Sequence, residues 1–307
     1  MSSATLSLAA NALARKLISA VVALGQSKSA LGAIAGHVIV SVGTARNFEQ
    51  CVCDFLRWRF AGGTSIDAPV TRAELEQYLT QESQRWRQKT VDQHRQALSL
   101  VFSVALTRID AQISTFTRGR AYTEDEMVAI ARRQSSRNAL ATRVAFHSGM
   151  RASELYELRE AHELDPEPGR PWRPDLFTGL PDGVIYRTTG KGGLARSIWI
   201  PAELHLQLQT CRLAMPATVI DRKVHRETVF DLGGGQSLSQ SFSETSVVVL
   251  GFSLGFHGLR HGYGQRRLET LIAMGLDPLD IFEMVSQELG HLRLDVLWHY
   301  TPPRRKA

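Results

Sequence analysis

The chain of 307 residues is 43% hydrophobic and 21% charged, too apolar for a disordered chain and too evenly mixed for a membrane protein. Its longest apolar runs, 17–25 and 247–256, fall short of the roughly 18 residues a spanning helix needs. Its three cysteines, Cys51, Cys53 and Cys211, give neither a CxxC pair nor an even disulfide set. This is the pattern of a soluble, cytoplasmic protein with no metal and no marked cofactor, and at about 100–200 residues per domain the length predicts two domains.

The net charge of +6 is unevenly placed. Residues 1–120 hold 14 basic and 8 acidic side chains, whereas 121–307 hold 22 of each. Within 82–120 the basic residues Arg85, Arg87, Lys89, Arg95, Arg108, Arg118 and Arg120 outnumber Glu82, Asp92 and Asp110. A local basic excess suits a polyanionic partner, because each neutralised phosphate releases condensed counterions. On charge alone a solvated helix face fits equally well.

In chain order, the Ala-, Leu- and Ser-rich residues 1–38 predict one or two helices, a helical N-terminal extension. Amphipathic helices follow at 44–60, 71–80 and 90–108, with capping boxes at Thr71/Glu74 and Thr90/Gln93. Periodicity fades over 109–124, which reads as a linker, so the domains divide as 39–120 and 121–307. Beyond it lie helical segments near 125–146 and 151–160, then a Pro/Gly-rich stretch, 165–182. Short runs at 184–187 and 197–200 flank Gly190-Lys191-Gly192-Gly193 and predict a β-hairpin. Helices are expected at 202–213, 259–274 and 277–288, while 231–256 gives no clear signal. The fold class is mainly α with a small β-hairpin or sheet.

Ten histidines are present. His257 and His261 have the i, i+4 spacing of paired zinc ligands. Arg260 lies between them, however, and a guanidinium repels a dication. These residues fit better as donors around an anion. Arg151 opens the expected helix within Gly149-Met150-Arg151-Ala152-Ser153-Glu154-Leu155, and Lys191 rides the glycine hairpin. His257 and Arg260 lie one helical turn apart, His291 follows Leu289-Gly290, and Tyr300 comes nine residues later. Two guanidiniums, an ammonium, two imidazoles and a phenol suit phosphoryl transfer without metal, the cations stabilising charge while the phenol attacks. Each residue alone is equally a cap, packing or surface residue; the ordered set carries the reading.

That ordered set resembles the tyrosine recombinase/phage integrase family, whose signature runs Arg, Lys, HxxR, His or Trp, then a nucleophilic Tyr. The interval from LGH to Tyr300 also matches. The resemblance covers about 121–302, and 40–108 is similar in general pattern to the family's helical core-binding domain. It implies a helical core-binding domain at 39–120, with Arg85, Arg87, Lys89 and Arg95 as DNA contacts, and an α+β catalytic domain at 121–307. It further implies that Tyr300 forms a 3′-phosphotyrosyl link, Arg151 and Arg260 hold the non-bridging oxygens, and Lys191 protonates the leaving 5′-oxygen. His257 and His291 would support proton transfer and phosphate contact, Glu154 would buttress Arg151, and His261 would orient the helix presenting Arg260. The implied protein is a site-specific recombinase or integrase acting on double-stranded DNA as a homotetramer, with accessory recombination proteins as further partners. The alternatives are a type IB topoisomerase-like enzyme or a catalytically silent DNA-binding protein. Departures from the family pattern are Val296 and Leu297 in place of small hydroxyl residues, Gly262 after the histidine run, and an apparent insertion at 161–182.

Overall fold

The computed structural model describes residues 3–26, 28–113, 120–167, 169–190, 193–222 and 224–291. The chain divides into two compact units, Met1–Thr117 and Arg118–Ala307.

In the first unit, α1 (Ser3–Ser19) buries Ala10, Ala14 and Ile18, residues spaced to line one helix face. A one-turn helix α2 (Lys28–Leu31) precedes α3 (Val42–Ala61), where the Ser41 side chain accepts the Thr44 amide. Ala10, Ala14 and Ile18 share a core with Val52, Phe55 and Leu56 of α3. Helix α4 (Arg72–Ser83) opens with the expected Thr71/Glu74 capping box. Helix α5 (Gln88–Val101) departs from expectation at both ends. It starts at Gln88 with Arg87 as an N-cap lacking a side-chain bond, so Thr90 and Gln93 lie inside it and form no capping box. It also stops at Val101 rather than 108, because Ser103 adopts φ 53° and the chain doubles back to bury Leu106. His94 on α5 is a core residue, with its Nδ1 3.2 Å from the Tyr78 hydroxyl. Burial lowers its pKa to about 4.

In the second unit the segment expected near 125–146 is two helices, α6 (Glu124–Ala131) and α7 (Ser136–Ser148). The Thr123/Glu126 capping box starts one, and the Ser135 side chain caps the other. Arg151 opens no α-helix; the chain turns through it into a short 3-10 helix, Glu154–Glu157. Strands β1 (Arg159–Glu160), β2 (Gly183–Thr189) and β3 (Ala195–Pro201) form an antiparallel sheet in that order. The expected hairpin is its β2–β3 pair, in register from Gly183↔Pro201 to Thr189↔Ala195. Helix α8 (Ala202–Thr210) ends before the expected 213, because Arg212 already pairs with Phe230 in a second, unforeseen hairpin. That hairpin consists of β4 (Arg212–Asp221) and β5 (Val224–Phe230). Helix α9 (Gly235–Leu250) fills most of the unassigned stretch, and its Gln236 amide donates to Asp221 of the hairpin at 2.9 Å.

Helices α10 (His257–Ala273) and α11 (Pro278–Glu288) complete the described unit, the second capped by Asp277 with Pro278 in its first turn. The main core joins Leu140, Val144, Phe146, Leu155, Ile198 and Phe242, and Tyr263, Leu271, Met284 and Leu289 form another between α10 and α11. Each such side chain contributes about 1.5–3 kcal/mol of burial. Arg266 of α10 lies 3.6 Å over the Phe146 ring and donates to the Phe146 carbonyl, tying α10 to α7. No described helix is long and apolar enough to cross a membrane.

Candidate active site

The site is built where the end of α7, the 3-10 turn, β3, α10 and the end of α11 meet. Gly149 terminates α7 at φ 65°, and a Cβ there would lie 2.7 Å from Tyr263 Cδ1 and 2.9 Å from Leu289 Cδ2. Only glycine meets both demands. The chain then turns so that the Arg151 amide and Nη1 donate to the two oxygens of Glu154, at 2.9 and 2.5 Å.

Glu154 is 2% exposed and is the centre of the cluster. Besides Arg151 it accepts from Arg196 Nη2 of β3 at 2.8 Å, and Arg260 Nη1 lies 4.0 Å away. Burial alone would raise its pKa, but Arg196, Arg260 and Arg151 together lower it to about 2. Three guanidiniums around one carboxylate leave a local charge of +2.

The two arginines expected to act as a pair are presented differently. The Arg151 side chain is 29% exposed. Arg260 is wholly buried, its Nη1 donating to the Gly149 carbonyl at 2.6 Å and its Nη2 to the Leu289 carbonyl. Arg260 Nη2 also lies 3.1 Å from His291 Nε2. A guanidinium only donates, so Nε2 is the accepting nitrogen and the neutral ring carries its proton on Nδ1. Burial and the charges of Arg260, Arg151 and Arg196 lower the His291 pKa to about 3, against Glu154, which raises it. Gly290 (φ 65°) permits this approach, for a Cβ there would come 2.6 Å from Arg196 Cδ.

His257 opens α10 one turn before Arg260, its ring packed edge-on against His261 with centroids 5.2 Å apart. His257 is exposed as a residue, yet the protein packed around its ring, then the charges of Arg260, His261, Arg151 and Arg120, lower its pKa to about 4. Both imidazoles are therefore neutral near pH 7, and the positive charge of the cluster resides in the arginines. Among the described residues no three His, Cys, Asp or Glu side chains are placed to hold a metal ion.

The structure thus joins Arg151, Glu154, Arg260 and His291 by direct contact and places His257 in their field. Lys191 and Tyr300 lie outside the described residues, as do Val296 and Leu297. Gly190, the residue before Lys191, would bring a Cβ within 3.3 Å of Glu154 Oε1, so the hairpin reaches the cluster. Sequence reasoning missed Arg196. It is 1% exposed and spans from Glu154 to the Glu288 carbonyl, 2.5 Å from its Nη1. In the first unit Arg85, Arg87 and Lys89 are exposed, Arg85 pairing with Glu82 at 2.5 Å. Arg95 instead turns inward, donating to the Leu106 carbonyl at 3.3 Å and lying 3.6 Å from Asp92.

No protein-family model and no curated protein matches the chain. Solved structures do. The XerH site-specific recombinase bound to palindromic difH substrate, in a post-cleavage complex, is similar with a TM-score of 0.57 and 15% identity, over 97% of this chain and 92% of that one. A lambda integrase dimer bound to a COC′ core site gives 0.53 and 18%, over 91% and 94%. The Tn1549 transposon integrase in complex with circular intermediate DNA gives 0.51 and 13%, over 95% and 96%. The chain has the tyrosine recombinase fold. At these identities the likeness extends to the fold.

Proposed function

We propose that the chain is a site-specific DNA recombinase or integrase that cuts and rejoins DNA through a 3′-phosphotyrosyl intermediate. The observation that carries this reading is the mounting of Arg151 and Arg260 around the buried Glu154, with neutral His291 seated on Arg260. A preorganised +2 cluster favours the extra negative charge of a pentacoordinate phosphorus, and such donors contribute roughly 2.7–4 kcal/mol each at comparable sites. Arg151, the exposed member, takes the scissile phosphate first, and Arg260 adds its charge from beneath. His291, with Nε2 occupied by Arg260, donates from Nδ1 to a non-bridging oxygen. His257, neutral near pH 7, takes the proton from the attacking phenol. That proton must move, since a phenol of pKa about 10 is only about 0.1% ionised at pH 7. Tyr300 supplies the phenol and Lys191 protonates the leaving 5′-oxygen. The partner is double-stranded DNA in the cytoplasm, reached as well through Arg85, Arg87 and Lys89, and strand exchange proceeds in a homotetramer with accessory recombination proteins.

The test is a suicide-substrate assay with nicked duplex covering the DNA that flanks the gene. Wild type should form a covalent protein–DNA adduct, and Tyr300→Phe should bind the duplex yet form none. An adduct that persists in Tyr300→Phe removes Tyr300 as the nucleophile. Relaxation of supercoiled DNA by the monomer, without strand exchange, would favour a topoisomerase instead.

A further inference from the structure

The segment 161–182 has no part in the chemistry above, yet residues 170–180 are pinned along α11, from Asp280 in its first turn to Glu288 at its end. Arg173 Nη1 reaches Asp280 at 2.6 Å and Glu283 at 3.0 Å, while its other nitrogens hold Asp175. Its amide donates to Gln287 Oε1 at 2.8 Å, and Gln287 Nε2 returns a bond to the Pro171 carbonyl at 3.3 Å. Phe177 is held at φ 68°, a conformation an aromatic residue rarely adopts. In that conformation its amide donates to Glu288 Oε1 at 3.0 Å.

Glu288 is 1% exposed, and its carboxylate collects four donors. Arg267 Nη2 and the Phe177 amide meet Oε1, while Arg267 Nε and the Tyr263 hydroxyl meet Oε2, at 2.8, 3.0, 2.8 and 2.7 Å respectively. The carbonyl of the same residue accepts from Arg196, the next carbonyl accepts from Arg260, and His291 follows two residues on. A buried ion pair is a poor source of net stability compared with apolar packing of the same volume. Four directional bonds to two oxygens do fix a backbone in place, which apolar packing does less sharply. We infer that Glu288 is a positioning residue for the anion site, holding the 288–291 turn where Leu289 and His291 meet Arg260, with residues 170–180 as part of its mount. The inference rests on the reading that this cluster binds the scissile phosphate.

The experiment compares wild type, the apolar replacement Tyr263→Phe/Arg267→Met/Glu288→Leu, and the surface-side Arg173→Gln. Three properties are read: thermal unfolding, single-turnover adduct formation on the nicked duplex flanking the gene, and the NMR titration of the His291 ring. The apolar triple variant should stay folded and bind duplex within about threefold of wild type, yet form adduct about 10²-fold more slowly, the cost of roughly 1 Å of misplacement. Its His291 pKa should climb from about 3 toward the ordinary imidazole value. Arg173→Gln should move the rate and the titration in the same direction by less. A folded triple variant with wild-type rate and unshifted His291 overturns the inference. Should the triple variant not fold, an unchanged rate and titration in Arg173→Gln overturn it instead. If wild type itself forms no adduct, the functional reading fails, and the His291 titration still decides the positioning role.

Discussion

Replacing Glu154 by glutamine removes one charge from a site where three guanidiniums depend on it. The carboxylate accepts from Arg151 at 2.9 and 2.5 Å and from Arg196 at 2.8 Å, with Arg260 at 4.0 Å. Its pKa falls from 4.5 to about 2 despite burial, and a shift of this size corresponds to about 3 kcal/mol favouring the ionised form. Glutamine keeps the shape but turns an amide N–H₂ toward a guanidinium and leaves buried positive charge uncompensated. Breaking such a pair costs about 3–5 kcal/mol. For a unit of roughly 190 residues at about 2–4 °C per kcal/mol, Glu154→Gln should lower the melting temperature at pH 7 by about 6–20 °C. The sign of the pH effect follows from the depressed pKa. The wild-type contribution is complete above about pH 4.5 and is lost as pH falls through about 2, so the variant should lack that acid limb. Circular dichroism melts across pH 2–7 measure both quantities. A destabilisation below about 1 kcal/mol with an unchanged acid limb would refute the assignment of Glu154 as the counter-charge.

His94, buried in the first unit with its pKa lowered to about 4, makes folding weaken as pH drops from about 6.5 to 4, by about 3 kcal/mol in all. His94→Phe should flatten that slope in urea titrations, whatever it does to stability at pH 7. Gly149→Ala forces a Cβ to 2.7 Å from the Tyr263 ring at φ 65°. It should destabilise the second unit by more than the roughly 1–3 kcal/mol of backbone strain alone, measurable by chemical unfolding. Charge reversal at Arg85, Arg87 and Lys89 should reduce the salt dependence of duplex binding, by about 0.9 in logarithmic slope for each phosphate no longer neutralised. Arg95→Ala should change the slope less, because its guanidinium is turned to Leu106 and Asp92; equal effects from both would place the DNA face elsewhere.

What could be read from the sequence is what is local in it. Gly149 to Leu155, His257 to His261 and Leu289 to His291 are short motifs whose members also meet in space, so Arg151, Glu154, Arg260 and His291 were legible. Arg196 was not, because its partner Glu154 lies 42 residues away and the run Ser197-Ile198-Trp199-Ile200 reads as an ordinary strand. Glu288 and Arg267 were hidden likewise, 21 residues apart on two helices whose periodicity suits apolar packing. The β4–β5 hairpin escaped notice because Arg222, not glycine or asparagine, takes the positive φ of 50° at its turn. Thr90 misled because its spacing to Gln93 fits a capping box, whereas the helix had already begun at Gln88. The break between α6 and α7 falls in the polar run Arg132-Arg133-Gln134-Ser135-Ser136-Arg137-Asn138, where neither glycine nor proline marks it.

The grip on Arg260 by the carbonyls of Gly149 and Leu289 joins points 111 and 29 residues distant along the chain. Closing loops of that length is entropically late in folding. During synthesis the arginine would emerge well before the second of its two acceptors, and a partly made chain would hold a guanidinium with only half its cradle. On the proposed function, cutting would have to wait both for Leu289 to complete that cradle and for Tyr300 to supply the phenol. On that reading a half-built chain could touch DNA without breaking it.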